Sequence, residues 1–189
     1  MTRGRIEAFS DGVIAIIITI MVLELKVPHE YDLSALIGLL PVFMAYVLSF
    51  LNVGIYWNNH HHMFHSVKHV GGWVLWANLH LLFWLSLLPF TSEFMSASGY
   101  QETPVAIYCF DLAMCAVAYT LLVMSLVAEH GRTSDFTRAL GSGNKEKMSL
   151  LAYVAAVPMA FVSVWIALAL VLGVALAWLV PDRRFAKAA

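Results

Sequence analysis

Three groups of polar side chains interrupt a sequence that is 61% hydrophobic. They are Arg5, Glu7 and Asp11 at the start, a histidine run at His60, His61, His62, His65 and His69, and a single Asp111 deep in an apolar stretch. Imidazoles four residues apart share one face of a helix, so His61, His65 and His69 have the spacing of a Zn²⁺ or Ni²⁺ site. Protonation of the same cluster near neutral pH would suit it to tuning a gate. The competing expectation is a polar helix end at a membrane interface, partly hydrogen-bonded to the first helix. We adopt it because no cysteine and few carboxylates lie nearby, and keep the metal site as the alternative. Asp11 and Asp111 raise a similar choice. A carboxylate carried into a membrane is costly, and it serves as an ion or proton ligand or as a paired anchor facing the protein interior. We expect anchors in both cases. Cys109 and Cys115 are six residues apart in one apolar segment, a rise of about 9 Å on a helix and beyond disulfide reach, so they read as packing thiols.

The elements that carry these groups follow from composition. Charged residues make up 12% of the chain and mean hydropathy is +0.78, against about 25% charged in soluble domains. That is an integral membrane protein, with any activity among its helices. The first apolar run begins after Asp11 and no small-residue cleavage site precedes the charged Glu24-Leu25-Lys26, so it is expected to be a membrane helix and not a cleaved leader. Spanning takes about 20 apolar residues, and the pattern predicts helices over 4–26, 33–66, 70–94 and 103–128. From Met148 to Pro181 no side chain is charged. As one helix that run would be about 51 Å long, against a hydrocarbon core of about 30 Å. Basic residues decide how to divide it. With six helices and a cytoplasmic N-terminus, ten of the 11 Lys and Arg residues fall inside and only Lys26 outside. Five helices would export Arg183, Arg184 and Lys187, against the positive-inside bias. The last run is therefore expected to form helices over 147–162 and 164–181, with a turn near Pro158 to Ser163. The Glu129 to Lys147 loop, rich in Gly, Ser and mixed charge, reads as a flexible connector. Most of the six Trp fall near predicted helix ends, as interface anchors do.

On the first helix, at about 100° per residue, Phe9, Gly12, Ile16, Ile20 and Leu23 lie within about 40° of one line, with Thr19 at its edge. Asp11 lies about 140° away from Ile16. Such a stripe faces lipid, packs on a neighbour, or forms a hydrophobic constriction in a multi-subunit pore. Which of the three applies is open on periodicity alone.

The segment "RIEAFSD", Arg5 to Asp11, resembles the Arg-x-x-x-Phe-Ser-Asp signature that opens the first helix in the transmembrane protein 175 family of lysosomal-type potassium channels. "WNNHHHMFH", Trp57 to His65, is similar to that family's aromatic-Asn-His-His ending of the second helix, and "NLHLLFWLSLLPF", Asn78 to Phe90, to its third. The likeness runs through roughly the first 100 residues, and the chain length resembles the prokaryotic form. The resemblance implies a homotetramer in which four first helices line the pore, with a constriction at Ile16 and further lining by Thr19, Ile20 and Leu23. It also implies a hydrogen-bond network of Arg5, Phe9, Ser10 and Asp11 with Trp76 and His80. The backbone-carbonyl filter sequence TVGYG is absent, and an apolar ring gates by dewetting.

Residues 1–189 are thus expected to form one all-α channel domain of six transmembrane helices. It would conduct K⁺, selectively or weakly selectively, in the inner (plasma) membrane with both termini cytoplasmic. No cofactor and no nucleic-acid partner are expected, only other copies of the chain, lipid and the permeant ion. The alternative is a secondary transporter coupled to protons or a divalent metal through Asp11, Asp111 and the histidines. An enzyme is least supported: there is no phosphate loop and no nucleophile with a base.

Overall fold

The computed structural model describes residues 2–67, 69–131, 134–140 and 143–179, and every regular element among them is a helix. In order they are α1 (Arg3–Leu23), α2 (Leu33–Gly38), α3 (Leu40–His65), α4 (Gly72–Ala97), α5 (Glu102–His130), α6 (Asp135–Leu140), α7 (Asn144–Met159) and α8 (Val164–Leu179). By length and apolarity α1, α3, α4 and α5 can each cross a membrane. The helices α7 and α8, at 16 residues each, are shorter.

Two segments differ from the sequence pattern. The stretch 33–66 is two helices, because Pro41 sits in the first turn of α3, where it has no amide to continue a preceding helix. The short α2 starts at Asp32, whose carboxylate accepts the Ala35 amide at 2.8 Å, the usual way of satisfying a free N-terminal donor. The 129–147 connector carries the single-turn α6 instead of being irregular throughout. The division of the last apolar run falls at 160–163, just after Pro158. Lys68, Arg132, Arg183, Arg184, Lys187 and the expected helix end at Pro181 lie outside the described residues.

Side-chain pairs fix how the helices run. Asn78 meets Ser10 and His60, while Ser49 meets Ser92, so α4 runs parallel to α1 and antiparallel to α3. Thr91 bonds Asp111 and the Gly71 amide bonds Glu129, both at the expected ends of antiparallel α4 and α5. The helix α5 is the centre of the bundle, packed on α4, α7 and α8. Its buried positions include Ala106, Ala113, Ala116 and Ala118, small residues that let helices approach closely without a hydrophobic force between them. The α4–α5 turn passes through Gly99 and Tyr100, both at positive φ. Only the second pays a side-chain penalty there, and it is held by a hydrogen bond from its hydroxyl to the Pro41 carbonyl and by stacking on Trp165.

Polar groups turn inward and large apolar groups outward. Ser10, Ser49, Asn52, His60, Asn78, Thr91, Ser92, Ser96 and Asp111 are buried, whereas Phe83, Phe90, Leu151 and Ile166 are exposed. In lipid that distribution gives most of the polar atoms protein partners where no water can supply them, although His60 Nδ1 and Asp111 Oδ1 have none among the described residues.

Candidate functional site

The helix α1 has two faces. Ile6, Ser10, Ile14, Ile17 and Met21 are buried against the bundle, spaced as one side of a 3.6-residue helix. On the opposite side Phe9, Ile16, Ile20 and Leu23 are exposed, Ile16 at 58% and Leu23 at 73%, and so are Gly12 and Thr19. The Thr19 hydroxyl donates to the Ile16 carbonyl at 2.9 Å, which occupies it within the helix. Among the described residues the sequence-predicted stripe stays largely uncovered.

The buried face is anchored by polar bonds. Asn78 Nδ2 donates to Ser10 Oγ at 3.0 Å, and Asn78 Oδ1 is 2.8 Å from His60 Nε2. Because a carbonyl oxygen only accepts, His60 carries its proton on Nε2, and its buried Nδ1 has no partner among the described residues. Trp57 Nε1 donates to Asp11 Oδ1 at 3.0 Å. One turn nearer the N-terminus, Arg3 donates to the His65 carbonyl at 3.0 Å and lies 3.7 Å from Glu7, while His61 Nδ1 lies 3.0 Å from the other Glu7 oxygen. Two neighbouring helices, α3 and α4, thus hold α1 from one side.

The proposed network members are distributed unevenly. Ser10 and Asp11 contact other helices as above. Arg5 is exposed and makes no side-chain bond among the described residues. Phe9 is exposed, Trp76 is 70% exposed, and His80 accepts from Trp84 Nε1 at 2.9 Å on its own helix. Arg3, Glu7, Trp57, His60 and Asn78 hold α1 although the sequence assigned none of them to the network. Trp57 and His60 were visible as interface anchor and cluster member, but which helix they meet is a matter of packing. Of the metal alternative, His61 faces Glu7 and His69 contributes its backbone amide to His130 Nε2 at 3.4 Å. No group of three or more His, Cys, Asp or Glu among the described residues is arranged to hold an ion. Asp111, for which the sequence offered no partner, accepts from Thr91 at 2.9 Å.

At the far end of α1, Glu24 and Glu93 line a recess of about 390 Å³ between α1 and α4 that also touches Ile16 and Ile20. Burial first, then a hydrogen bond with Glu93, raises the Glu24 pKa above its ordinary 4.5.

Residues 5–89 match the family described as endosomal/lysosomal potassium channel TMEM175. The chain is 51% identical over 187 residues to a potassium channel of Chryseobacterium sp., a match covering 99% of this chain and 97% of that one. It is 33% identical over 185 residues to a potassium channel of Streptomyces collinus, covering 88% and 86%. Among solved structures it is similar to the crystal structure of a lysosomal potassium-selective channel TMEM175 homolog from Chamaesiphon minutus. There the TM-score is 0.80 at 26% identity, over 93% of this chain and 95% of that one.

Proposed function

This chain belongs to the endosomal/lysosomal potassium channel TMEM175 family, and from that premise we propose how it passes its ion. It is a multi-pass membrane protein and a potassium channel, not an enzyme. Four copies assemble about an axis, with α1 from each lining the path and with α7 and α8 completing six spans per subunit. Ile16 forms the narrowest ring, and Thr19, Ile20 and Leu23 continue the lining outward. Ser10 and Asp11 hold α1 to α3 and α4, while Arg5 and Trp76, exposed in the single chain, sit at contacts between subunits. K⁺ moves passively, and both termini are cytoplasmic in the inner (plasma) membrane.

The observation that carries this reading is the asymmetry of α1: one face is clamped by Ser10–Asn78–His60 and Asp11–Trp57, and the other is an uncovered apolar stripe. A helix anchored from behind keeps its apolar face turned toward one axis, where a ring of such faces can narrow the path.

The test is purified protein in a planar bilayer with K⁺ on one side and Na⁺ on the other. The reversal potential is expected to follow the K⁺ gradient and to ignore a proton or divalent-metal gradient. A potential that tracks protons or metal instead would return the protein to the transporter class. A reporter fused after Ala189 is expected to be active when the reporter is a cytoplasmic one and silent when it is periplasmic, and the reverse pattern would remove the six-span arrangement.

A further inference from the structure

A second space, apolar over most of its wall but holding a few polar groups, lies away from the α1 face between α3, α5, α7 and α8, with a volume of about 40 Å³. Its walls include Tyr56 and Asn59 of α3, Tyr119 of α5, Glu146 and Tyr153 of α7, and Trp178 of α8. A water needs about 10–15 Å³ on this scale, so there is room for one small ion with a water or two.

Three of the wall donors are engaged: Tyr153 donates to Asn52 Oδ1, Trp178 Nε1 to Ser149 Oγ, and Asn59 Nδ2 to the Ile55 carbonyl, each at 2.8 Å. What remains is one carboxylate and two phenol hydroxyls, whose oxygen lone pairs can face an ion while their O–H bonds turn away. Glu146 Oε2 is buried and has no hydrogen-bond partner among the described residues. Tyr56 is only 9% exposed, and no hydrogen bond to its hydroxyl or to that of Tyr119 is made among the described residues. The two rings meet edge to face at 6.0 Å. Lys145 stands 4.4 Å from the centre of the Trp178 ring, so a cation is already accommodated at the edge of this aromatic wall.

An unpaired carboxylate oxygen withdrawn from water is costly. Oxygen lone pairs and aromatic faces compensate it by attracting a cation. A divalent ion would need several carboxylates, and only one lines this space, so the charge matches a single monovalent ion. We propose that the chamber binds one monovalent cation of potassium's size, outside the conduction path, held by Glu146 with the Tyr56 and Tyr119 hydroxyls and Asn59 Oδ1. An ion there links α3 and α5 to the terminal α7–α8 pair, which few other polar bonds join to the bundle.

The probe is Rb⁺, in crystals of the full-length protein grown with RbCl in place of KCl, and the readout is anomalous scattering. A Rb⁺ peak is expected beside the Glu146 carboxylate, away from α1, and is expected to vanish in Glu146→Gln while the rest of the map is unchanged. Water alone in the chamber, or Rb⁺ confined to the α1 path, overturns the proposal. Should Glu146→Gln fail to assemble, the double variant Tyr56→Phe, Tyr119→Phe keeps both rings and removes two oxygens, and the same loss of the peak is expected. In solution, replacing choline by Rb⁺ should raise the thermal midpoint of the parent, and that rise should shrink by at least half in either variant; an equal rise in parent and variant also overturns it. Neither readout uses current, so failure here leaves the pore assignment standing and failure of the pore assignment leaves this site standing.

Discussion

At the scale of single residues, Asn78 carries more of the arrangement than any charge. Its amide uses both ends, donating to Ser10 on α1 and accepting from His60 on α3, so one side chain at 2% exposure ties three helices together. Replacing it with Ala leaves a buried hydroxyl and a buried imidazole N–H without the partner they have now. Each buried group left unpaired costs about 1–3 kcal/mol, and Asn78→Ala is expected to lower the thermal midpoint clearly while Ser125→Ala, whose hydroxyl donates to the Leu122 carbonyl on its own helix, lowers it far less. Equal midpoints for the two variants would remove Asn78 from this role. The sequence marked Ser10 and Asp11 as anchors because a polar residue inside a membrane helix must find a partner. It could not say that the partners are Asn78 and Trp57, 68 and 46 residues away. Arg3 rather than Arg5 reaches α3. Two positions along a helix turn a side chain by about 200°, and only the packed neighbour decides which arginine faces it.

At the scale of elements, helices were legible wherever length and apolarity were unambiguous, as in α4 and α5. Boundaries set by local chemistry were less so. The α2–α3 break turns on Pro41 and the Asp32 cap, weak signals inside a long apolar run. The recess between α1 and α4 was not legible at all, since it depends on parallel packing that brings Glu24 beside Glu93. That pairing makes this contact of the two helices sensitive to pH. Burial and the Glu93 carboxyl raise the pKa of Glu24, with Lys26 opposing them less strongly. A group whose pKa is raised on folding favours the folded state while protonated. Its contribution is full below the ordinary value of 4.5 and is lost as pH rises through the raised one. Across that window the thermal midpoint of the parent is expected to fall relative to Glu24→Gln, which cannot ionise. Midpoint profiles that run parallel from acid to neutral pH would show that the two carboxyl groups do not interact.

At the scale of the whole molecule, the exposed α1 stripe acquires a purpose only when copies of the chain are arranged around it. An isolated subunit leaves Ile16, Ile20 and Leu23 uncovered, which in lipid is no anomaly. In the proposed fourfold assembly the same stripe would meet itself and close the path. Four Ile16 side chains would present no polar atom to an ion, so the ion must either shed water there at high cost or wait until the ring widens and wets. Replacing Ile16 with Asn supplies amide groups that stand in for water and keep the narrow segment hydrated. Conductance is expected to rise and the discrimination between K⁺ and Na⁺ to change. Ile14→Val is the control, since Ile14 is 1% exposed and packs into the bundle away from the stripe, and it should alter neither property. Unitary currents of both variants, recorded in identical salts after reconstitution at equal density, separate the outcomes. An Ile16→Asn channel that assembles normally and conducts like the parent would mean that the stripe faces lipid or a neighbouring helix, and that the narrow part of the pore belongs to another element.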